Sequence, residues 1–299
     1  KAIFISLMNT APLAADQEYL LKDKMADFNS GLKLLQKFTD GKIHVTINEG
    51  STLKSELKNC EIHEFSGPHP AGNVGIHIHH IDPIKRGEIV WTIKAAGLLS
   101  WFTFFKTGKY PSRKLVAVAG SGVDDRKYFN VVEGTMIKDF PGINTNGPEM
   151  RYISGDVLTG NKRDAEEFIG LNDSLLTVIP EGRHRNFLGW AAPGFKAFSF
   201  SKTFFSSLFP KKEYELDTNN NGGPRAFVQT GIFEQVIPMD LYPDYLLRSI
   251  LAEDIAEMEG LGIYEVSEED FALCSYIDPS KNDVCGIIRH GLELIEKEG

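Results

Sequence analysis

Phe65-Ser-Gly-Pro-His-Pro-Ala-Gly-Asn-Val-Gly-Ile-His-Ile-His-His80 gathers turn residues and four of the chain's eight histidines into one segment bounded by hydrophobic runs. Its glycines and prolines mark a tight loop. The apolar residues that follow alternate with other types, so Val74 to Ile81 reads as a strand with His77 and His79 on one face and His80 on the other.

Upstream, Lys1 to Met8 reads as a buried strand and Glu18 to Phe38 as an amphipathic helix. Lys42 to Ile47 reads as a second strand and Ser51 to Asn59 as a second, short helix. This alternation predicts a Rossmann-like α/β layer with parallel strands. The turn after the first strand, Asn9 to Ala14, contains no glycine. Without a G-x-G-x-x-G turn the backbone cannot cradle a pyrophosphate, which argues against dinucleotide binding in the usual mode.

Downstream, Lys114 to Gly120 and Met150 to Ser154 read as strands, with a short helix at Thr135 to Gly142 between them. Ser174 to Phe200 reads as more strand, and Asp217 to Pro224 as a loop and domain boundary. Tyr242 to Met258, Glu268 to Cys274 and Val284 to Lys297 carry helical patterning, with Ser267 and Asp270 as an N-cap signal. The expected class is α/β, α+β overall: a Rossmann-like domain at 1–112, a strand-rich region at 113–216 and a C-terminal helical domain at 225–299.

The 299 residues are 42% hydrophobic and 24% charged, as in an ordinary globular protein. A net charge of -9 argues against nucleic acid as a partner. No run approaches the roughly 20 apolar residues that span a bilayer. The three cysteines are an odd count without framework spacing, which favours a reducing compartment. There is no H-E-x-x-H, no paired-cysteine spacing and no G-x-S-x-G elbow. On a shared strand face His77 and His79 suit three roles: zinc ligands with His69 or His63, donors to a quinone carbonyl, or partners for buried backbone groups. Spacing alone does not choose among them. The aromatic run Trp101 to Phe105 suits core or subunit interface, and Arg183-His184-Arg185 a solvated turn.

The Gly-Pro-His-Pro-Ala-Gly motif followed by Gly-x-His-x-His closely resembles the NqrA family, which supplies one subunit of the bacterial sodium-translocating NADH:quinone oxidoreductase. The resemblance extends through Ala2 to Ala14, Arg151 to Gly160 and Phe187 to Gly194 to the end of the chain. It implies a further N-terminal part before Lys1 and a β-grasp, SLBB-like module within 113–216. It also implies membership of an enzyme complex at the cytoplasmic face of the bacterial inner membrane. That complex oxidises NADH and reduces ubiquinone while exporting sodium, with NADH, flavins and iron–sulfur centres in other subunits. The fragment alone would be inactive. The partners implied are the other subunits, above all the membrane-embedded ones, and a quinone near His69, His77 and His79; a purely structural scaffold is the alternative.

The C-terminal domain also resembles the two-cluster ferredoxin part of the RnfC family of the Rnf electron-transport complex, with its ligands replaced. Phe227, Thr230, Phe233 and Ile237 would fall at one set of cluster-ligand positions, and Glu268, Phe271, Cys274 and Asp278 at the other. One thiolate and one carboxylate cannot hold two cubane clusters. No cofactor and no metal is therefore expected on this chain, beyond the quinone.

Overall fold

The computed structural model describes residues 1–143, 149–183, 187–209, 213–228 and 231–299. Thr230, His184 and Arg185 lie outside them. Strands β1 (Ala2–Ser6), β2 (Lys42–Asn48), β3 (Glu61–Phe65) and β4 (Val90–Thr92) form a four-stranded parallel sheet in the order β3-β2-β1-β4. Phe4 and Ile5 of the inner strand β1 are fully buried, one on each face.

The helix expected over Glu18 to Phe38 is two helices, α1 (Gln17–Leu21) and α2 (Met25–Leu35), separated by Asp23 at φ 61°. The break has a packing reason. Leu20 packs with Ala117 and Leu175 of the second sheet, whereas Leu21, Phe28 and Leu32 pack on the first, and one straight helix cannot serve both. Ser51 to Asn59 shortens to a 3-10 turn at Thr52–Ser55.

Val74–Ile81 is a helix, α3, where alternation suggested a strand. It lies in the crossover between two parallel strands, a connection usually made by a helix. Val74, Ile78 and Ile81 pack with Phe4 of the sheet, while Ile76 enters the core of the C-terminal helices. Apolar residues on both sides of a helix buried twice mimic the period of a strand. Helix α4 (Ala95–Thr107) follows β4 and packs Leu98 against Gly31 of α2, while Trp101, Phe104 and Phe105 stay largely exposed.

The second sheet comprises β5 (Arg113–Ala119), β6 (Lys127–Val132), β7 (Met150–Ser154), β8 (Asn161–Arg163) and β9 (Leu175–Pro180), in the order β6-β5-β9-β7-β8. Its first and last strands pair in parallel at the centre and the remaining pairs are antiparallel, the arrangement expected of a β-grasp module. The short helix expected near Thr135 is only a 3-10 turn, Ile137–Asp139, whose buried Ile137 and the adjacent Phe140 plug the sheet. The strand expected to run to Phe200 ends at Pro180. Pro180, Gly182, Gly189, Pro193 and Gly194 interrupt the rest, leaving Phe187 93% exposed.

The C-terminal helices are α5 (Pro243–Leu251), α6 (Ile255–Gly260), α7 (Ala272–Ile277) and α8 (Val284–Glu298). The helix expected over Tyr242 to Met258 breaks at Glu253, at φ 56°, and Asp254 caps α6. Ser267 does not cap through its side chain; its hydroxyl donates to the Asp270 carboxylate at 2.6 Å.

His77 is fully buried between the sheet and α3. Its Nε2 donates to the Ala71 carbonyl at 2.8 Å, so its Nδ1, 2.8 Å from Thr46 Oγ1, accepts that hydroxyl's hydrogen. Burial pushes its pKa down from 6.5 to about 4. The folded state therefore binds fewer protons than the unfolded one. This contribution to stability is fully present above pH 6.5 and is lost as pH falls towards about 4.

Unfolding measurements test the His77 and glycine contacts. Urea titrations from about pH 7 down to 4 should lose on the order of 3 kcal/mol through His77, and His77→Gln should flatten that slope while lowering stability at neutral pH. A Cβ at Gly75 would sit 2.1 Å from Asp270 Oδ2, so Gly75→Ala should destabilise by about 1–3 kcal/mol. Gly97→Ala, with nothing closer than 3.6 Å, should be neutral or stabilising by up to ~1 kcal/mol.

Candidate functional site

The carboxyl ends of β1 and β4 open onto a cavity of about 330 Å³. In an open parallel sheet this is where ligands bind, because connections leave neighbouring strands in opposite directions. All three parts of the chain line it. The first sheet and its loops supply Phe4, Ser6, Met8, Ala11, His69, Gly72, Asn73, Val74, Ile93 and Lys94; the β-grasp module supplies Asp156, Asp173 and Leu175; the helical part supplies Glu269.

The motif loop is built onto the end of β1 by close backbone contact. A Cβ at Gly72 would lie 2.7 Å from the Thr10 nitrogen and 2.9 Å from the Met8 oxygen, so only glycine fits. Gly72 N–H donates to Thr10 Oγ1 at 2.9 Å, and that hydroxyl lies 3.2 Å from His69 Nδ1. With the hydroxyl hydrogen given to Nδ1, Nε2 carries the imidazole hydrogen. Nε2 is shielded and has no hydrogen-bond partner among the described residues, and burial lowers the His69 pKa, favouring the neutral ring.

Of His63, His69, His77 and His79, only His69 lines the cavity. Two residues of a helix point about 200° apart, so His77 and His79 do not share a face as they would in a strand. His77 faces the sheet, held by Thr46 and Ala71. His79 faces the helical part: Nε2 accepts from Asp240 N–H at 3.1 Å and Nδ1 donates to Glu265 at 2.6 Å. His80 donates to the Pro238 carbonyl. Asp156, Asp173, Glu269 and Lys94 escaped the sequence reading, since they converge from separate modules with no local motif.

Three acidic side chains against one lysine disfavour an anionic ligand. Lys94 is itself 3.7 Å from Asp173. The apolar Phe4, Met8, Val74 and Leu175 among these polar groups, with a neutral imidazole, instead suit an uncharged, ring-sized group.

The proposed ferredoxin-like positions serve packing. Phe233, Ile237, Phe271 and Cys274 are buried in the helical core, and Phe227 packs against it. Burial raises the Cys274 thiol pKa, favouring the protonated form. Glu268 pairs with Arg289, and Asp278 accepts from the backbone of Ser280 and Asn282 ahead of α8.

Residues 1–110 match the family model described as the NqrA second alpha/beta domain, and residues 115–165 match the NQRA C-terminal domain, of SLBB type. The NqrA protein of the Na(+)-translocating NADH-quinone reductase of Neisseria meningitidis serogroup C is 38% identical over 300 residues, covering 100% of this chain and 67% of that protein. The NqrA proteins of Serratia proteamaculans, 37% identical over 301 residues, and Rhodopirellula baltica, 36% over 301, likewise cover 100% of the chain and 67% and 66% of their own lengths. The chain therefore belongs to the NqrA family of the Na(+)-translocating NADH-quinone reductase, spanning about two thirds of those relatives.

Proposed function

We propose that this chain is a peripheral part of a sodium-pumping NADH:ubiquinone oxidoreductase and that its cavity receives the quinone head group. Complex membership is supported by identity to named subunits along the whole chain. A peripheral location, at the cytoplasmic face and held by membrane-embedded partners, accords with the lack, among the described residues, of a helix long and apolar enough to cross a membrane. The cleft's role rests above all on His69, a cavity-lining neutral imidazole whose shielded Nε2 has no hydrogen-bond partner among the described residues. A quinone carbonyl is an acceptor, and Nε2–H is the matching donor.

The chain's own contribution is to bind and orient. Phe4, Met8, Val74 and Leu175 shield the ring from water, and His69 offers one hydrogen bond to fix its direction. Electron carriers would lie in other subunits, because the ferredoxin-like positions that are described hold core side chains, an ion pair and a turn cap. Isolated, the chain would turn over no substrate. A scaffold role is favoured by a different observation: Phe38 of the loop after α2 packs edge-on against Trp101 and near Phe105, an exposed aromatic cluster suited to a partner surface.

Quinone titration of the intact complex separates the two. His69→Ala should weaken quinone affinity about 3–10-fold, the worth of one hydrogen bond, with partial recovery in His69→Gln. His290→Ala, on the exposed face of α8 and outside the cavity, should leave affinity unchanged. Equal affinity in wild type and His69→Ala would remove the cavity from quinone binding and leave the scaffold reading.

A further inference from the structure

The opposite edge of the first sheet, at β2 and β3, carries a second cluster. His44, near the start of β2, and Glu61 and His63 of the edge strand β3 turn toward the α3 side of the sheet. Parallel register sets His44 beside Glu61, and His63 lies two pairs further along, opposite Thr46, on the same face. His44 Nδ1 is 2.9 Å from His63 Nε2 and 3.6 Å from Glu61 Oε2, and one ligand atom from each residue falls within 4.8 Å of the others.

We infer that His44, Glu61 and His63 form a binding site for a divalent transition metal, zinc by ligand chemistry. Ligand atoms bonded tetrahedrally to zinc at about 2.0–2.1 Å are about 3.3 Å apart, which lies between the two distances from His44 Nδ1. The remaining pair closes by rotation of the Glu61 carboxylate, 45% exposed at the sheet edge. A surface ion pair with Lys42 at 2.8 Å opposes that rotation only weakly.

The surroundings prepare the ligands. His44 stacks on Phe4 with ring centroids 4.6 Å apart, so its orientation is fixed. Two imidazoles and one carboxylate leave a fourth position for water. The ion would tie the edge strand β3 to β2 beneath α3, away from the cavity at the strands' carboxyl ends. Its role would be to brace the sheet, independently of whether the cavity takes a quinone.

Calorimetric titration of the chain with zinc chloride, and absorption spectroscopy with cobalt(II), test the site. Wild type should bind one equivalent, and cobalt should give the visible bands of a four-coordinate ion without thiolate charge transfer. His63→Ala and Glu61→Gln, both at the accessible edge, should each weaken binding at least about 10-fold, the loss that even outer-shell changes produce. They should also erase the cobalt bands. Failure of wild type to bind, unchanged affinity in the two variants, or a thiolate spectrum would each overturn the assignment.

Discussion

Helix α3 is buried on two sides, and that constraint organises the rest. A helix between a sheet and a helical bundle must meet both with apolar residues and satisfy its polar groups inside. His77 does this on the sheet side by joining Thr46 to the Ala71 carbonyl, and Asn73, His79 and His80 do it on the bundle side through Asp270, Glu265 and Pro238. Each imidazole acts as a paired polar group in a place where an unpaired one would cost about 1–3 kcal/mol. Gly75 lets Asp270 approach the start of α3, which is where a carboxylate best complements the helix dipole.

The same constraint explains what was legible in the sequence. The strand and helix alternation of the first module follows from local periodicity, and the parallel sheet follows from it. The helix at Val74 did not, because two apolar faces of one helix produce the two-residue repeat of a strand, and only the crossover between β3 and β4 decides for helix. The break at Asp23 is equally invisible locally, since it answers to Leu20 packing against a module that begins some hundred residues later.

The motif pointed to His69 but could not separate it from His77 and His79. Their roles diverge through helix geometry and through partners far along the chain, Thr46 for one and Glu265 for the other. Asp156, Asp173 and Glu269 meet at the cavity only after three modules have packed. His44, Glu61 and His63 left a faint local trace, polar residues alternating within two short strands, which becomes a cluster only once β2 and β3 are in register.

These observations divide the first sheet into two chemically different regions. At the carboxyl ends the backbone comes close through Gly72, water is kept from a neutral His69, and acidic side chains from the other modules turn anions away. Along the β2–β3 edge two imidazoles and a carboxylate gather, His44 stacking on Phe4, a residue that also lines the cavity. Phe4 thus touches both, and α3 covers it through Val74 and Ile78. Because Asp156 and Glu269 enter the cavity from the other two modules, its shape depends on their docking as much as on the sheet. Through α3, the contacts that hold the helical part in place are the contacts that position the His69 loop.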